Sequence, residues 1–171
     1  LPGHPTVEVP GIVCNTGSLG MGLSKACGFV HANRLRGGSG RVFVLLGDGE
    51  MSEGQNYEAM LYAAREKMGE ITAVVDANGW QQDGPASMSA ERIAMMFRAA
   101  GWRCAVGEGN ADELRPELLW HNGKEPRCLV VRTKKGQGVK EIEADPVSWH
   151  NRGPTDEEFR AFMGELEDDR A

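Results

Sequence analysis

Apolar positions recur along this chain with two alternating periods. Leu19, Leu23, Ala26, Cys27 and Val30 fall at i, i+4, i+7, i+8 and i+11, which places them on one face of a helix. Ser18 reads as its N-cap, and Gly37-Gly38 stops it. Val42-Phe43-Val44-Leu45-Leu46 is then a continuous apolar run, the pattern of a strand covered on both faces. A second helix follows, with Tyr57, Met60, Leu61, Ala64 and Met68 on one side, and Ile71–Val75 is a second buried strand. The alternation continues with a helix at Ala90–Ala100, a short strand at Trp102–Val106, and a helix opened by Asn110-Ala111-Asp112-Glu113 and running to about Trp120. A strand at Cys128–Val131 comes next, then a long polar loop over 134–153. Thr155-Asp156-Glu157-Glu158 is a capping box opening a last helix through Phe159, Phe162 and Leu166. Residues 1–16 show no periodicity.

Strands alternating with helices predict parallel crossovers: an α/β fold, a parallel sheet flanked by helices, in a single domain over residues 1–171. The length fits, because 171 residues bury a core without disulfides or a structural metal. With 19 Lys and Arg against 25 Asp and Glu, the net charge is −6, which argues against a nucleic-acid partner. No apolar run approaches the roughly 18–20 residues that cross a bilayer. The N-terminal residues lack the charged lead and apolar stretch of a signal peptide. Cys14, Cys27, Cys104 and Cys128 form no C-x-x-C pair and read as reduced thiols of a cytoplasmic protein.

In open parallel sheets, ligands bind beyond the carboxyl ends of strands. Two strand ends carry distinctive residues. Gly47-Asp48-Gly49 ends the first, where glycines let the backbone turn sharply and approach a ligand. Taken alone this is as readily a simple turn. Asp76-Ala77-Asn78-Gly79 ends the second, and neighbouring parallel strands would set Asp48 and Asn78 on one rim. A carboxylate, an amide oxygen and a nearby main-chain carbonyl are hard ligands that suit Mg2+ or Ca2+ holding phosphate oxygens. A helix beginning after Gly49 would aim its N-terminal N–H groups at the same phosphates.

The order strand, Gly-Asp-Gly, helix, strand, Asn resembles the thiamine diphosphate signature, with Ala77 standing where that signature has Asn or Asp. Within that group the chain is most similar to the transketolase family. Pro2-Gly3-His4-Pro5, Thr16-Gly17-Ser18-Leu19-Gly20, Glu50-Met51-Ser52-Glu53-Gly54 and Trp149-His150-Asn151 carry the likeness. The resemblance implies the thiamine diphosphate-binding fold of the family's diphosphate domain, without its upstream part. It implies Mg2+ held by Asp48, Asn78 and the main-chain carbonyl of Trp80. Gly49 would meet the diphosphate, and Gly17 and Leu19 would flank the aminopyrimidine. Ser18 replaces the family's usual Pro. His4 and His150 would face the reacting centre, where an imidazole exchanges protons near pH 7. Glu53 would lie at a subunit interface, supporting the glutamate that activates the cofactor.

That glutamate belongs to a second, pyrimidine-binding domain that 171 residues cannot also contain. The resemblance therefore implies a split enzyme or a fragment, working in a hetero-oligomer with a C-terminal, pyrimidine-binding subunit. The reaction would be transfer of a two-carbon ketol unit between sugar-like substrates. Three alternatives stand beside it: a pyruvate dehydrogenase E1-like enzyme, a deoxyxylulose-phosphate synthase-like enzyme, and a non-catalytic relic domain. Lys134, Lys135 and the Gly136-Gln137-Gly138 loop read more readily as solvated than as phosphate contacts.

Overall fold

A computed structural model describes residues 4–120 and 122–168. Pro2 and Gly3, which carry part of the family likeness, lie outside them. Four parallel strands form the sheet: β1 (Val42–Gly47), β2 (Ile71–Ala77), β5 (Arg103–Glu108) and β6 (Arg127–Arg132), in the spatial order β1-β2-β6-β5. Two short strands, β3 (Trp80–Gln81) and β4 (Gly84–Pro85), make a hairpin just past β2 that no periodicity foretells. The helices are α1 (Met21–Leu35), α2 (Gly54–Arg65), α3 (Ala90–Ala99), α4 (Ala111–Leu119), α5 (Lys140–Ala144) and α6 (Asp156–Asp168).

Register decides which side chains share a face. Val44, Ala73, Cys128 and Cys104 align across the sheet, and so do Leu46, Val75, Val130 and Val106. This face packs under Leu23, Ala26 and Val30 of α1, Met60 and Ala63 of α2, and Ile93 and Phe97 of α3. Phe97 is fully buried, with its ring edge-on to Trp102 at 5.1 Å. The Trp102 indole N–H donates to the Met60 carbonyl at 2.9 Å, so a large aromatic enters the core with its polar atom satisfied. On the opposite face Arg127 is buried, paired with Glu117 at 2.6 Å and lying over the Trp120 ring. At the β1 end that face is open, leaving Phe43 and Leu45 exposed.

β1 is covered on one face only, against the cover on both that its apolar run predicts, and Leu61 is exposed rather than on the inner side of the second helix. Three further expectations change. First, α1 begins at Met21 rather than after Ser18: Gly20 is its N-cap, in the left-handed region at φ 75°, with no side-chain cap. Second, α2 does not begin after Gly49. A 3-10 turn over Gly49–Ser52 comes first and α2 starts at Gly54, leaving Met68 beyond its end. Third, residues 134–153 are not one polar loop. They contain α5, and Val139 and Trp149 join Phe162 in a second small core. A stretch so rich in Lys and Glu hides apolar residues whose partner lies in α6. The capping box before α6 is present in full: Thr155 N–H donates to Glu158 at 2.7 Å, and Glu158 N–H donates to Thr155 Oγ1 at 3.3 Å. All four cysteines are free thiols. Among the described residues, no helix is long and apolar enough to cross a membrane.

Candidate active site

Because β1 and β2 are adjacent, and Gly47 pairs with Asp76, the two distinctive strand ends meet. Asp48 N–H donates to the Asp76 carbonyl at 3.0 Å, which carries the ladder one residue past β1. The Asp48 carboxylate accepts from Gly79 N–H at 2.7 Å. Asn78 is held in the same turn: its Nδ2 donates to Asp76 Oδ2 at 3.0 Å, and its Oδ1 accepts from Trp80 N–H at 2.9 Å. Gly79 has φ 81°, so the tight turn joining Asn78 to Trp80 needs glycine. Gly49 allows close approach, since a Cβ there would lie 3.1 Å from the Gln81 Cβ.

Asp48 is only 3% exposed. Burial pushes its carboxyl above the usual carboxylate range and Asp76 adds repulsion, while N–H donors, Gly79 foremost, pull the other way. Asp76 accepts from the Thr133 hydroxyl, so the end of β6 also reaches the rim. The ammonium of Lys135 feels both carboxylates, and burial holds it below the ordinary lysine value. Lys135 also lies 2.5 Å from His150 Nδ1. The imidazole sits below its ordinary value, first through burial and then through the Lys135 charge, with Asp83 opposing. Lys135 is thus not a freely solvated lysine, whereas Lys134 is largely exposed and pairs with Glu143.

A cavity of about 330 Å3 opens beside this rim, with His4, Gly17, Leu19, Gly47, Glu50 and Asp76 in its lining. The segment before α1 folds back on itself through Thr16 N–H to the Pro5 carbonyl at 3.2 Å. This brings the His4 ring to within 3.7 Å of where a Gly17 Cβ would stand. Glu53 packs under Gly20, where an added Cβ would lie 2.6 Å from the Glu53 Cβ. Asp48, Gly49, Asn78 and Trp80 therefore form one cluster, and His4, Gly17 and Leu19 line the adjoining cavity. His150 approaches from the β6 side through Lys135. Sequence reasoning missed Asp76, Thr133 and Glu50, and it set Lys135 aside as solvated. Asp76 was in view as part of the strand end, but only the register sets it against Asp48.

No group of three or more His, Cys, Asp or Glu side chains gathers as a metal site among the described residues. The donor set implied by the resemblance is one carboxylate, one amide oxygen and a main-chain carbonyl. Its chemistry fits a hard divalent cation that keeps oxygens from phosphate. The buried Asp48 carboxylate, with Asp76 adding repulsion beside it, is consistent with the same fit.

A strand-tip rim of this kind, beside a glycine-walled cavity, belongs to the class of open parallel α/β domains, whose ligands bind beyond the carboxyl ends of the strands. The family described as "Transketolase, thiamine diphosphate binding domain" matches residues 1–144, and the chain belongs to this family. It is 36% identical to an apulose-4-phosphate transketolase subunit from Phocaeicola vulgatus, over 97% of this chain and 60% of that protein. It is 34% identical to human transketolase, over 89% of this chain and 25% of that protein. The chain thus spans about 60% of the length of the bacterial subunit and a quarter of the human enzyme. Among solved structures, a transketolase from Campylobacter jejuni superposes with TM-score 0.72 at 22% identity, over 97% of this chain and 31% of that one, a likeness of fold.

Proposed function

We propose that this chain is the diphosphate-binding part of a transketolase-type transferase that depends on thiamine diphosphate and Mg2+, and moves a two-carbon ketol unit between sugar-like substrates. The observation that carries this reading is the junction of Asp48 with the Asn78–Trp80 turn at the rim. In this reading Asp48, Asn78 and the Trp80 carbonyl hold the cation, and Gly49 N–H meets the diphosphate. Gly17 and Leu19 flank the aminopyrimidine. When bound, the cofactor supplies the electron sink that cleavage of a bond next to a carbonyl requires.

The chain's own residues then orient and move protons. His4, in the lining of the cavity, would exchange a proton with a substrate hydroxyl. His150 is held neutral more readily than a free imidazole, so it can accept a proton near neutral pH. Glu53 lies at the start of α2, where its side chain makes no capping hydrogen bond to the helix. In this reading it supports the activating glutamate of a second chain. A C-terminal, pyrimidine-binding subunit supplies the activating carboxylate and completes a hetero-oligomer in the cytoplasm, where the free thiols stay reduced.

The test is reconstitution. This chain is combined with a pyrimidine-binding subunit, thiamine diphosphate and Mg2+, and ketol transfer from a ketose phosphate to an aldose phosphate is followed. Transfer that needs both chains and both cofactors is expected. Turnover of pyruvate in place of ketose would overturn the transketolase assignment.

A further inference from the structure

We propose that Glu50 is a positioning residue that sets the spacing between the Gly17–Leu19 loop and the Asp48–Gly49 turn, the two walls between which the cofactor would lie. The inference deepens the proposed function and rests on it.

The Glu50 carboxylate accepts two main-chain hydrogen bonds from different elements: Gly20 N–H at 2.7 Å and Gly47 N–H at 3.0 Å. One oxygen thus holds the loop before α1, and the other holds the end of β1. Both bonds are charge-assisted, roughly twice as strong as neutral ones. Glu50 is itself held from behind. Asn56, fully buried in α2, donates its Nδ2 to the Glu50 main-chain carbonyl at 2.7 Å. Gln55 adds a parallel latch, donating to the Leu19 carbonyl at 2.9 Å. Two side chains of the 50–55 segment therefore grip consecutive residues of the loop.

Leu19 is 55% exposed, and Gly20 takes a left-handed conformation as an N-cap without a side-chain acceptor. The first turn of α1 has no acidic residue, so Glu50 supplies the negative charge that its N-terminus lacks. Glu50 also lines the cavity together with Gly17, Leu19 and Gly47. A cofactor that bridges the loop and the turn binds well only if their separation is already set, because ordering a loop on binding costs affinity.

The test compares wild type with Glu50→Gln and Glu50→Asp, each assembled with the pyrimidine-binding subunit. Gln offers only one oxygen to two N–H donors. Asp keeps the charge but is one methylene too short to reach both. Calorimetric titration with thiamine diphosphate in Mg2+ is expected to show binding about tenfold weaker or worse in both variants, the effect of losing one charge-assisted bond. Hydrogen exchange in peptides covering Gly20 and Gly47 is expected to quicken, while β2 and β6 keep wild-type protection. A purely structural role would instead lower the melting temperature and leave the affinity of the folded protein unchanged, and that result overturns the inference. Wild-type affinity in both variants, with wild type itself binding, overturns it while leaving the proposed function standing. If wild type fails to bind thiamine diphosphate at all, the proposed function falls and the inference with it.

Discussion

Asp48→Asn separates what the carboxylate does for folding from what it does for the ligand. The asparagine keeps an oxygen for Gly79 N–H, which in the wild type donates to the carboxylate at 2.7 Å. That bond falls from the charged range of about 1.5–3 kcal/mol to the neutral range of about 0.5–1.5. Against this loss stands relief. The carboxylate is 3% exposed, and both burial and Asp76 oppose its charge. The two effects nearly cancel, to within about 1 kcal/mol, or about 2–4 °C in melting temperature for a chain of this size. The pH dependence has a definite sign. A carboxyl whose folded pKa is raised weakens folding as pH climbs from its unfolded value through its folded one. Asp48→Asn should therefore flatten the stability profile across that window. Ligand binding gives the contrast. At a hundredfold excess over its dissociation constant, thiamine diphosphate with Mg2+ should stabilise wild type by about 2.7 kcal/mol, roughly 5–11 °C. Scanning calorimetry with and without the pair should show this rise in wild type and almost none in the variant. An equal rise in both would refute the assignment of Asp48 to the cation.

Two further outcomes follow from the contacts described. Lys135→Met removes one of the two influences holding the His150 imidazole below 6.5, so its pKa should rise in an NMR titration of the ring protons. The depressed His150 contributes stability that is present above its unfolded pKa and lost as pH falls from there through its folded pKa, so the variant should be less acid-sensitive in that window; an unchanged imidazole would refute the contact. Phe97→Ala empties a fully buried site against Trp102 and should cost about 3–5 kcal/mol in urea unfolding at an unchanged slope. A loss below about 1 kcal/mol would show that Phe97 is not central to the core.

The sheet was legible because its strands are buried on the helix-covered face and carry continuous apolar runs, as Val42–Leu46 and Cys128–Val131 do. The α3 and α6 starts were legible because Ser89 and Thr155 cap them locally. Elements set by distant partners were not. The start of α1 depends on Gly20 and on Glu50, thirty positions away, so Ser18 was the natural but wrong choice from local rules. The Trp149 segment reads as polar because Val139 and Trp149 meet Phe162 only across a loop and a helix. At the site, Asp48 and Asn78 stood out by residue type. Asp76 and Lys135 did not, since nothing in a run of ordinary charges indicates which one faces a rim.

The places where this chain departs from good local structure are concentrated rather than scattered. Asp48 is a buried carboxylate answered by main-chain N–H groups, with Asp76 beside it. Asn56 is fully buried with its Oδ1 unpartnered among the described residues. α1 begins on a left-handed glycine with no side-chain cap. Each feature costs stability when taken alone. Asn56 donates to Glu50, Glu50 accepts from Gly20 and Gly47, and Asp48 follows Gly47, so all three sit in one connected stretch of structure. Local inconsistencies that gather in one place, in a fold whose α3 and α6 cap and pack normally, are the pattern expected of a functional or strained region. That stretch runs from Gly20 through Glu50 to Asp48, and so borders the rim to which the proposed function assigns the cation.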